Sequence, residues 1–340
     1  MHSVMGYNTD MESAVSIYPS LAKSASFKTS PVKPFFDAIC DVCKCDYLPF
    51  FSARSALLAG IKALGLNRSD EILVPPFLGH CVLSAMEYSS FATLLPNNNV
   101  KAILVLHQFG FPQNIELIQT VAEDKGWLIL NDCAHALYAK AEIGQWGDIS
   151  IVSFSKFFQC GQGGGLLATR HVLERLPEAM LRDAEIVATC FNEYAACLVC
   201  KDAEERLVRM SALYGYIPFL RGISTFAAGL LPQRPAEILD DKERRIKYFR
   251  MAVEALPHLE NIYDETIVPM AIPVSGPPNK LQTISESIRS QFGVITPLMH
   301  FDFAQNMLQP DYRPALMIGC HEGWSEDIIT NVLLLCKEGL

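Results

Sequence analysis

The sequence predicts an α/β fold with a mostly parallel sheet, and two observations carry that prediction. Between about residue 50 and residue 170, short apolar runs of β character alternate with segments of helical periodicity, the pattern of strands covered on both faces by helices. The chain has 340 residues, half of them hydrophobic and 19% charged, enough to bury the core such a sheet needs and too apolar for extensive disorder.

Taken in order, residues 1–30 are rich in Ser, Tyr and Met without a clear period and read as an N-terminal arm whose order depends on what it packs against. Residues 31–230 read as a large α/β domain. Strands are expected at 71–74, 102–106, 127–130, 149–152 and 165–168, and helices at 55–64, 82–88 and 114–125. Residues 172–230 read as helices interrupted by a loop at 214–218. Residues 231–340 read as a small α+β domain: a charged helix at 236–256, short strands near 267–273 and 293–297, and a final helix at 325–337.

Composition also excludes partners. Lys plus Arg number 28 against 37 for Asp plus Glu, a net charge of −9, and no basic cluster suited to a phosphate backbone appears, so nucleic acid is not expected. No apolar run approaches the roughly 20 residues needed to span a bilayer, so no membrane partner is expected either. Eleven cysteines at irregular spacing do not form a disulfide framework, and the start of the chain lacks a secretory pattern; a cytoplasmic protein with reduced thiols is expected. The pairs Cys40/Cys43 and Cys197/Cys200 have the spacing of zinc ligands, but the second lies in an apolar helical stretch, which favours buried thiols, and no metal is expected.

Three segments have the residue types of a chemical site. In Ser52-Ala53-Arg54-Ser55-Ala56-Leu57, small residues open a helix whose N-terminal N–H groups suit a phosphate, with Arg54 as a nearby cation; an ordinary Ser cap fits the same residues. In Trp127-Leu128-Ile129-Leu130-Asn131-Asp132-Cys133-Ala134-His135, a buried-type strand delivers an acid and a histidine at its carboxyl end, where ligands bind in open α/β sheets. Asp132 is placed there to pair with a heterocyclic nitrogen, or to cap the next turn. In Gly147-Asp148-Ile149-Ser150-Ile151-Val152-Ser153-Phe154-Ser155-Lys156, a lysine follows an apolar strand and precedes the turn Gly161-Gln162-Gly163-Gly164, a setting that suits a nucleophilic amine and equally a surface lysine before a hairpin.

These segments, with Asp70-Glu71-Ile72-Leu73-Val74-Pro75 and Leu106-His107-Gln108-Phe109-Gly110 between them, resemble in order and spacing the DegT/StrS-type sugar aminotransferases of the fold type I superfamily. The resemblance runs from about residue 45 to the C-terminus. It implies a large domain built on a mostly parallel sheet of the seven-stranded type and a small C-terminal domain. It further implies pyridoxal 5′-phosphate as cofactor, with Lys156 forming the Schiff base, Asp132 pairing with the pyridine nitrogen and His135 touching the 3-hydroxyl. The phosphate falls to the backbone of Arg54 and Ser55 and to the Ser153 hydroxyl, and Phe77 or His80 is the candidate ring to stack on the cofactor. The implied reaction moves an amino group from a small-molecule donor to a keto acceptor, a nucleotide-linked sugar among the possibilities, in a homodimer with shared active sites. A lyase or dehydratase on the same cofactor, and a cofactor-free binding or regulatory homologue, are the alternatives.

The chain departs from the family's pattern in three places. Only Ser155 separates Ser153-Phe154 from Lys156, whereas the family has three residues there; keeping the interval to the glycine turn requires a two-residue deletion, and without it Phe158 takes the lysine's place. Residues 94–100 replace a longer insert with an extra hairpin. Ala53-Arg54 stands for the usual Gly-Thr, which brings an arginine side chain to the phosphate position.

Overall fold

The computed structural model describes residues 15–19, 46–138, 146–176, 184–232 and 234–340. Its larger sheet is built from β1 (Asp46–Phe50), β2 (Glu71–Leu73), β3 (Phe91–Thr93), β4 (Val100–Leu106), β5 (Leu128–Cys133), β6 (Ile149–Ser153) and β7 (Gly164–Ala168), with helices α1 (Ala53–Ala63), α2 (His80–Met86) and α3 (Ile115–Lys125) between them. The strand order is β1-β7-β6-β5-β4-β2-β3. From β6 to β3 every pairing is parallel, and β7 alone runs against both of its neighbours.

Both faces of this sheet are covered, which explains why its strands are apolar almost without interruption. On β4, Ala102 and Leu104 pack with Ala56, Leu57 and Ile61 of α1, while Ile103 and Val105 pack with Ile118 and Ala122 of α3 on the opposite face. Ser52 caps α1, and Gly126, in the left-handed region at φ 65°, ends α3. The Gly147-Asp148 pair ties the start of β6 to β5, since Asp148 Oδ2 accepts the Ile129 N–H at 2.8 Å and the Asp148 N–H donates to the Ile129 carbonyl at 2.9 Å.

After β7 come α4 (Arg170–Glu174), α5 (Ala184–Val199), α6 (Ala203–Tyr216), α7 (Thr225–Gly229) and the long α8 (Pro235–Ala255). The helices expected across 172–230 are present, although α6 continues to Tyr216, so the loop expected at 214–218 is the end of a helix followed by a 3-10 turn over Ile217–Phe219. The rest of the chain folds as β8 (Ala271–Ser275), α9 (Pro278–Phe292), β9 (Leu298–Asp302), β10 (Tyr312–Gly319) and α10 (Glu326–Gly339), with an antiparallel sheet of order β8-β10-β9.

The strand expected at 293–297 is not formed. Gly293, at φ 66°, caps α9, and Val294 makes an isolated bridge with Val15 of the arm while the strand itself starts at Leu298. The strand expected at 267–273 begins only at Ala271, because the Met270 N–H is taken by the Phe109 carbonyl at 2.8 Å. Cys40 and Cys43 lie outside the described residues, as does most of the arm. Cys197 is a buried thiol and Cys200 is half-buried; among the described residues no group of His, Cys, Asp and Glu is placed to hold a metal ion, and no helix is long and apolar enough to cross a membrane.

The two sheets meet at the carboxyl end of β4. Gly110 has φ 95°, and a Cβ there would lie 2.6 Å from the Val268 carbonyl and 2.9 Å from the Met270 nitrogen, so only glycine permits this approach. Gln108 reaches across beside it, donating to the His300 carbonyl at 2.7 Å and accepting the Asp302 N–H at 3.0 Å. A buried ion pair completes the junction. Arg245 of α8 is fully buried, donates through Nε to Asp241 Oδ2 at 2.8 Å, and lies 4.7 Å over the Phe157 ring, while the Tyr138 hydroxyl donates to the same Asp241 oxygen at 2.7 Å.

Asp241→Asn removes the charge that compensates Arg245 and is expected to destabilise the protein by about 3–5 kcal/mol in urea unfolding. Adding Arg245→Met should restore part of that loss, since the fully buried cation is then gone and Arg244, which also pairs with Asp241, keeps Glu322. A single variant as stable as the parent would show that the pair is not what holds this junction.

Candidate active site

The parallel strands β4, β5 and β6 end at one edge, and there the structure gathers Asp132, His135 and Lys156. Asp132 is buried at the end of β5, its Oδ1 accepting the Ala134 N–H at 3.0 Å. Burial pushes its carboxyl up to about 6, against the opposing pull of the Ala134 N–H and of the positive charge of Lys156. His135 stacks on Phe109, centroids 5.0 Å apart, and accepts the Phe109 N–H at Nδ1 at 3.4 Å. Burial, with the Lys156 charge adding to it, holds His135 well below its ordinary value, so the ring is neutral and its proton sits on Nε2.

Lys156 lies in a tight turn after β6, where the Phe157 and Phe158 N–H groups both donate to the Phe154 carbonyl at 2.9 Å. Phe154 and Phe157 are fully buried and Phe158 nearly so, all in the main core, which leaves Lys156 as a half-buried polar side chain of the turn. Its ammonium acts electrostatically on both Asp132 and His135 and lies 4.2 Å from the centre of the Tyr18 ring. Phe158, the alternative occupant of the lysine's position, is engaged in packing.

The glycine turn joins this lysine to α1. Phe154 N–H donates to the Gly163 carbonyl at 2.9 Å and Gly163 N–H to the Phe51 carbonyl at 2.8 Å, with Gly163 at φ 111°. Gly164 pairs with Ser153 on one side and Phe50 on the other, and its Cα sits against the backbone of Ser52 and Ala53 with no room for a Cβ. Ser153 is thereby brought beside the N-terminus of α1, 3.5 Å from the Ser155 hydroxyl. At that terminus the Ser55 N–H donates to Ser52 Oγ at 3.2 Å and the Ser55 hydroxyl to the Ile217 carbonyl at 2.5 Å. The Arg54 guanidinium lies over the Tyr214 ring at 4.5 Å, so its side chain is held by α6.

The candidate stacking rings are engaged differently. Phe77 is 57% exposed, with φ 61°, and stacks on His300 of β9 at 4.1 Å with its edge toward Tyr312 of β10. His80 opens α2, with Nδ1 3.4 Å from the Ser84 hydroxyl. Residues that sequence reasoning did not find are Tyr18, which comes from the aperiodic arm, and a buried network behind Asp132. In that network the Gln113 N–H donates to His107 Nδ1 at 3.1 Å, which leaves Nε2–H to donate to Asn131 Oδ1 at 2.6 Å, and Asn131 Nδ2 donates to the Ser150 hydroxyl at 3.0 Å. Burial pushes His107 down to about 4, so it is a neutral structural link. The motif residues His107 and Asn131 were visible in the sequence, but nothing there showed that they pair.

Residues 91–183 match the DegT/DnrJ/EryC1/StrS aminotransferase family, the one expected from the motifs. Among curated proteins, GDP-perosamine synthase of Escherichia coli O157:H7 is 28% identical over 132 residues, which are 32% of this chain and 36% of that protein. L-glutamine:2-deoxy-scyllo-inosose aminotransferase of Streptomyces kanamyceticus is 24% identical over 214 residues, 56% of this chain and 48% of that protein. The chain thus spans about a third to a half of the length of these relatives. Among solved structures, DesI in the presence of its TDP-sugar product superposes with a TM-score of 0.64 at 15% identity, covering 90% of this chain and 84% of DesI. The fold is that of the fold type I pyridoxal-phosphate-dependent aminotransferases.

The raised Asp132 fixes a sign for the pH dependence of stability. A carboxyl held above its unfolded value keeps its proton longer in the folded state, so the penalty for burying its charge is absent near pH 4, grows between about pH 4 and 6, and is complete at pH 7. At about 1.4 kcal/mol per unit the penalty comes to about 3 kcal/mol. Asp132→Asn in protein free of added cofactor should therefore gain stability over the parent as pH rises from 4 to 7, measured by urea unfolding at both values. Curves that stay parallel would show that the carboxylate is not desolvated.

Proposed function

We propose that the chain is a pyridoxal-phosphate-dependent aminotransferase that moves an amino group from a small-molecule donor to the keto group of a sugar-like acceptor. The observation that carries this reading is the meeting of a lysine amine, a buried strand-end carboxylate and a neutral histidine at one sheet edge. The names of the relatives, GDP-perosamine synthase and an inosose aminotransferase, support a polyhydroxylated acceptor.

The donor set fits the cofactor. A carboxylate that burial has left with a raised pKa gains most from a cationic N–H partner, which a protonated pyridine nitrogen provides. Lys156 would anchor the cofactor through its amine, His135 Nε2–H would donate to an oxygen on the ring, and Ser153 with the N-terminus of α1 would receive the phosphate. Pyridoxal phosphate, when bound, supplies the electron sink that stabilises a carbanion at the substrate carbon. The chain's own part is to hold charge and move protons. Asp132 keeps a negative charge where water is excluded, and Lys156 Nζ, once free, takes the proton from the substrate carbon and returns it.

The connection between β3 and β4 is short. After β3 the chain turns directly into β4, with Asn97 Nδ2 donating to Glu71 Oε2 at 2.7 Å and Leu94 and Leu95 largely exposed. This supports an acceptor smaller than a nucleotide-sugar, a carrier-held one, or a wall from another segment or subunit. We assign the chain a homodimeric state with shared active sites, a cytoplasmic location, a large domain over 31–230 and a small one over 231–340.

Borohydride reduction after addition of pyridoxal phosphate should place the pyridoxyl group on the peptide that contains Lys156. Lys156→Arg should abolish that labelling and slow amino transfer by about 10²–10⁴-fold, the usual range for loss of a proton-transfer group. Labelling on another lysine would overturn the assignment of Lys156, and no labelling would leave a cofactor-free binding protein as the better reading.

A further inference from the structure

We propose that residues 15–18 of the N-terminal arm are part of the active site, and that Tyr18 is a positioning residue that holds the Lys156 ammonium beneath its ring. The proposal rests on the reading of Lys156 as the reactive amine and extends it to the residue that aims it.

The ring does not lie over the lysine by loose contact. Ile295 N–H donates to the Val15 carbonyl at 2.6 Å, and Val15 forms a parallel bridge with Val294. The Ser16 carbonyl accepts two side-chain donors at once, His321 Nε2 at 2.7 Å and Trp324 Nε1 at 2.8 Å. Gly323 N–H donates to His321 Nδ1 at 3.1 Å, which fixes the proton on Nε2 and makes His321 a donor. Ile17 is 3% exposed, and the Ser16 hydroxyl donates to the Tyr18 carbonyl at 2.9 Å while accepting the Tyr18 N–H at 3.2 Å. Val15 and Ser16 are therefore anchored on the C-terminal part of the chain, and Ile17 is packed into the core. The side chain that this clamp presents to the lysine turn is an aromatic ring, 4.2 Å from Nζ.

Lysine has a flexible four-carbon stem, and among the described residues no carboxylate forms an ion pair with Lys156, so something else must select the rotamers that bring Nζ toward Asp132 and His135. An aromatic face does so by attraction to the ammonium. The same contact brings the arm to the turn that carries Lys156.

The test uses the full chain without added cofactor and reads the rate at which a water-soluble N-acetoxysuccinimide reagent acetylates Lys156, mapped by peptide mass spectrometry, with exposed Lys125 as internal reference. Tyr18→Ala should accelerate acetylation of Lys156 about fivefold, the scale of a partly desolvated cation–π contact, and leave Lys125 unchanged. Tyr18→Phe keeps the ring and should behave as the parent. Tyr18→Leu keeps the bulk without the π face and should label like Tyr18→Ala. An unchanged rate in Tyr18→Ala, or parental behaviour of Tyr18→Leu, would overturn the proposal. Because no cofactor is present, this outcome is separate from the borohydride experiment: a chain that binds no pyridoxal phosphate would sink the functional reading and leave the lysine–tyrosine contact to be judged by its own labelling.

Discussion

The site depends on one electrostatic constraint, a carboxylate held out of water at the end of β5. Asp132 could be made comfortable in several ways, by an arginine, by two or three backbone N–H groups, or by solvent, and what eases its charge instead is one N–H from Ala134 and the field of Lys156. Its surroundings are otherwise built to keep it dry. The Asp132 carbonyl takes the His107 N–H at 3.2 Å, Asn131 behind it is saturated by His107 and Ser150, and His135 in front of it is held against Phe109. Stability alone does not favour that arrangement, and active sites are where such tension is kept.

A second constraint decides where the lysine stands. The turn after β6 can present a lysine only if the residues on either side of it are held in place. Here three phenylalanines do that work. Phe154, Phe157 and Phe158 enter the core, Phe157 meeting Arg245 and the edge of Tyr138 at 5.3 Å, and the residue left over in the turn is Lys156. The apolar side chains thus fix the register, and the polar one follows from them. This also explains why the buried Asp241–Arg245 pair matters to the site: it braces the packing on which the lysine turn rests.

Much of the larger sheet was legible because its strands are buried on both faces and its helices carry strong periodicity. Strands over 102–106 and 149–152 and helices over 55–64, 114–125 and 236–256 differ from β4, β6, α1, α3 and α8 only at their ends. What escaped had weaker local signals. β3 has three residues, β1 contains Pro49 and β10 Pro314, which suppress a strand reading, while α9 begins at Pro278 with only Leu281, Ile284 and Ile288 on its buried face. The residues of the site were legible one by one from the order of motifs. Their surroundings were not: Ser55 bonded to Ile217, Arg54 drawn to Tyr214 and Phe77 stacked on His300 all join segments 160 or more residues apart, and no local pattern records such a contact.

That long-range character follows from the topology. In a parallel sheet the reactive edge is the end of every strand, so the site's floor comes from β4, β5 and β6, but its lid must come from whatever segments return to that edge. Two returns are visible. The small sheet comes back through His300 and Asp302 onto Gln108, and through Val268 and Met270 onto Gly110 and Phe109, whose φ of 54° is sustained by this contact. The arm comes back through Val15 and Ser16 onto Val294, His321 and Trp324. Both returns are anchored on the C-terminal part of the chain, so a shift of β9 and β10 would move Phe77's partner, the Gln108 bridge and the arm's clamp together. Floor and lid are thus separate in sequence and coupled in space, and the connection between β3 and β4 joins neither return.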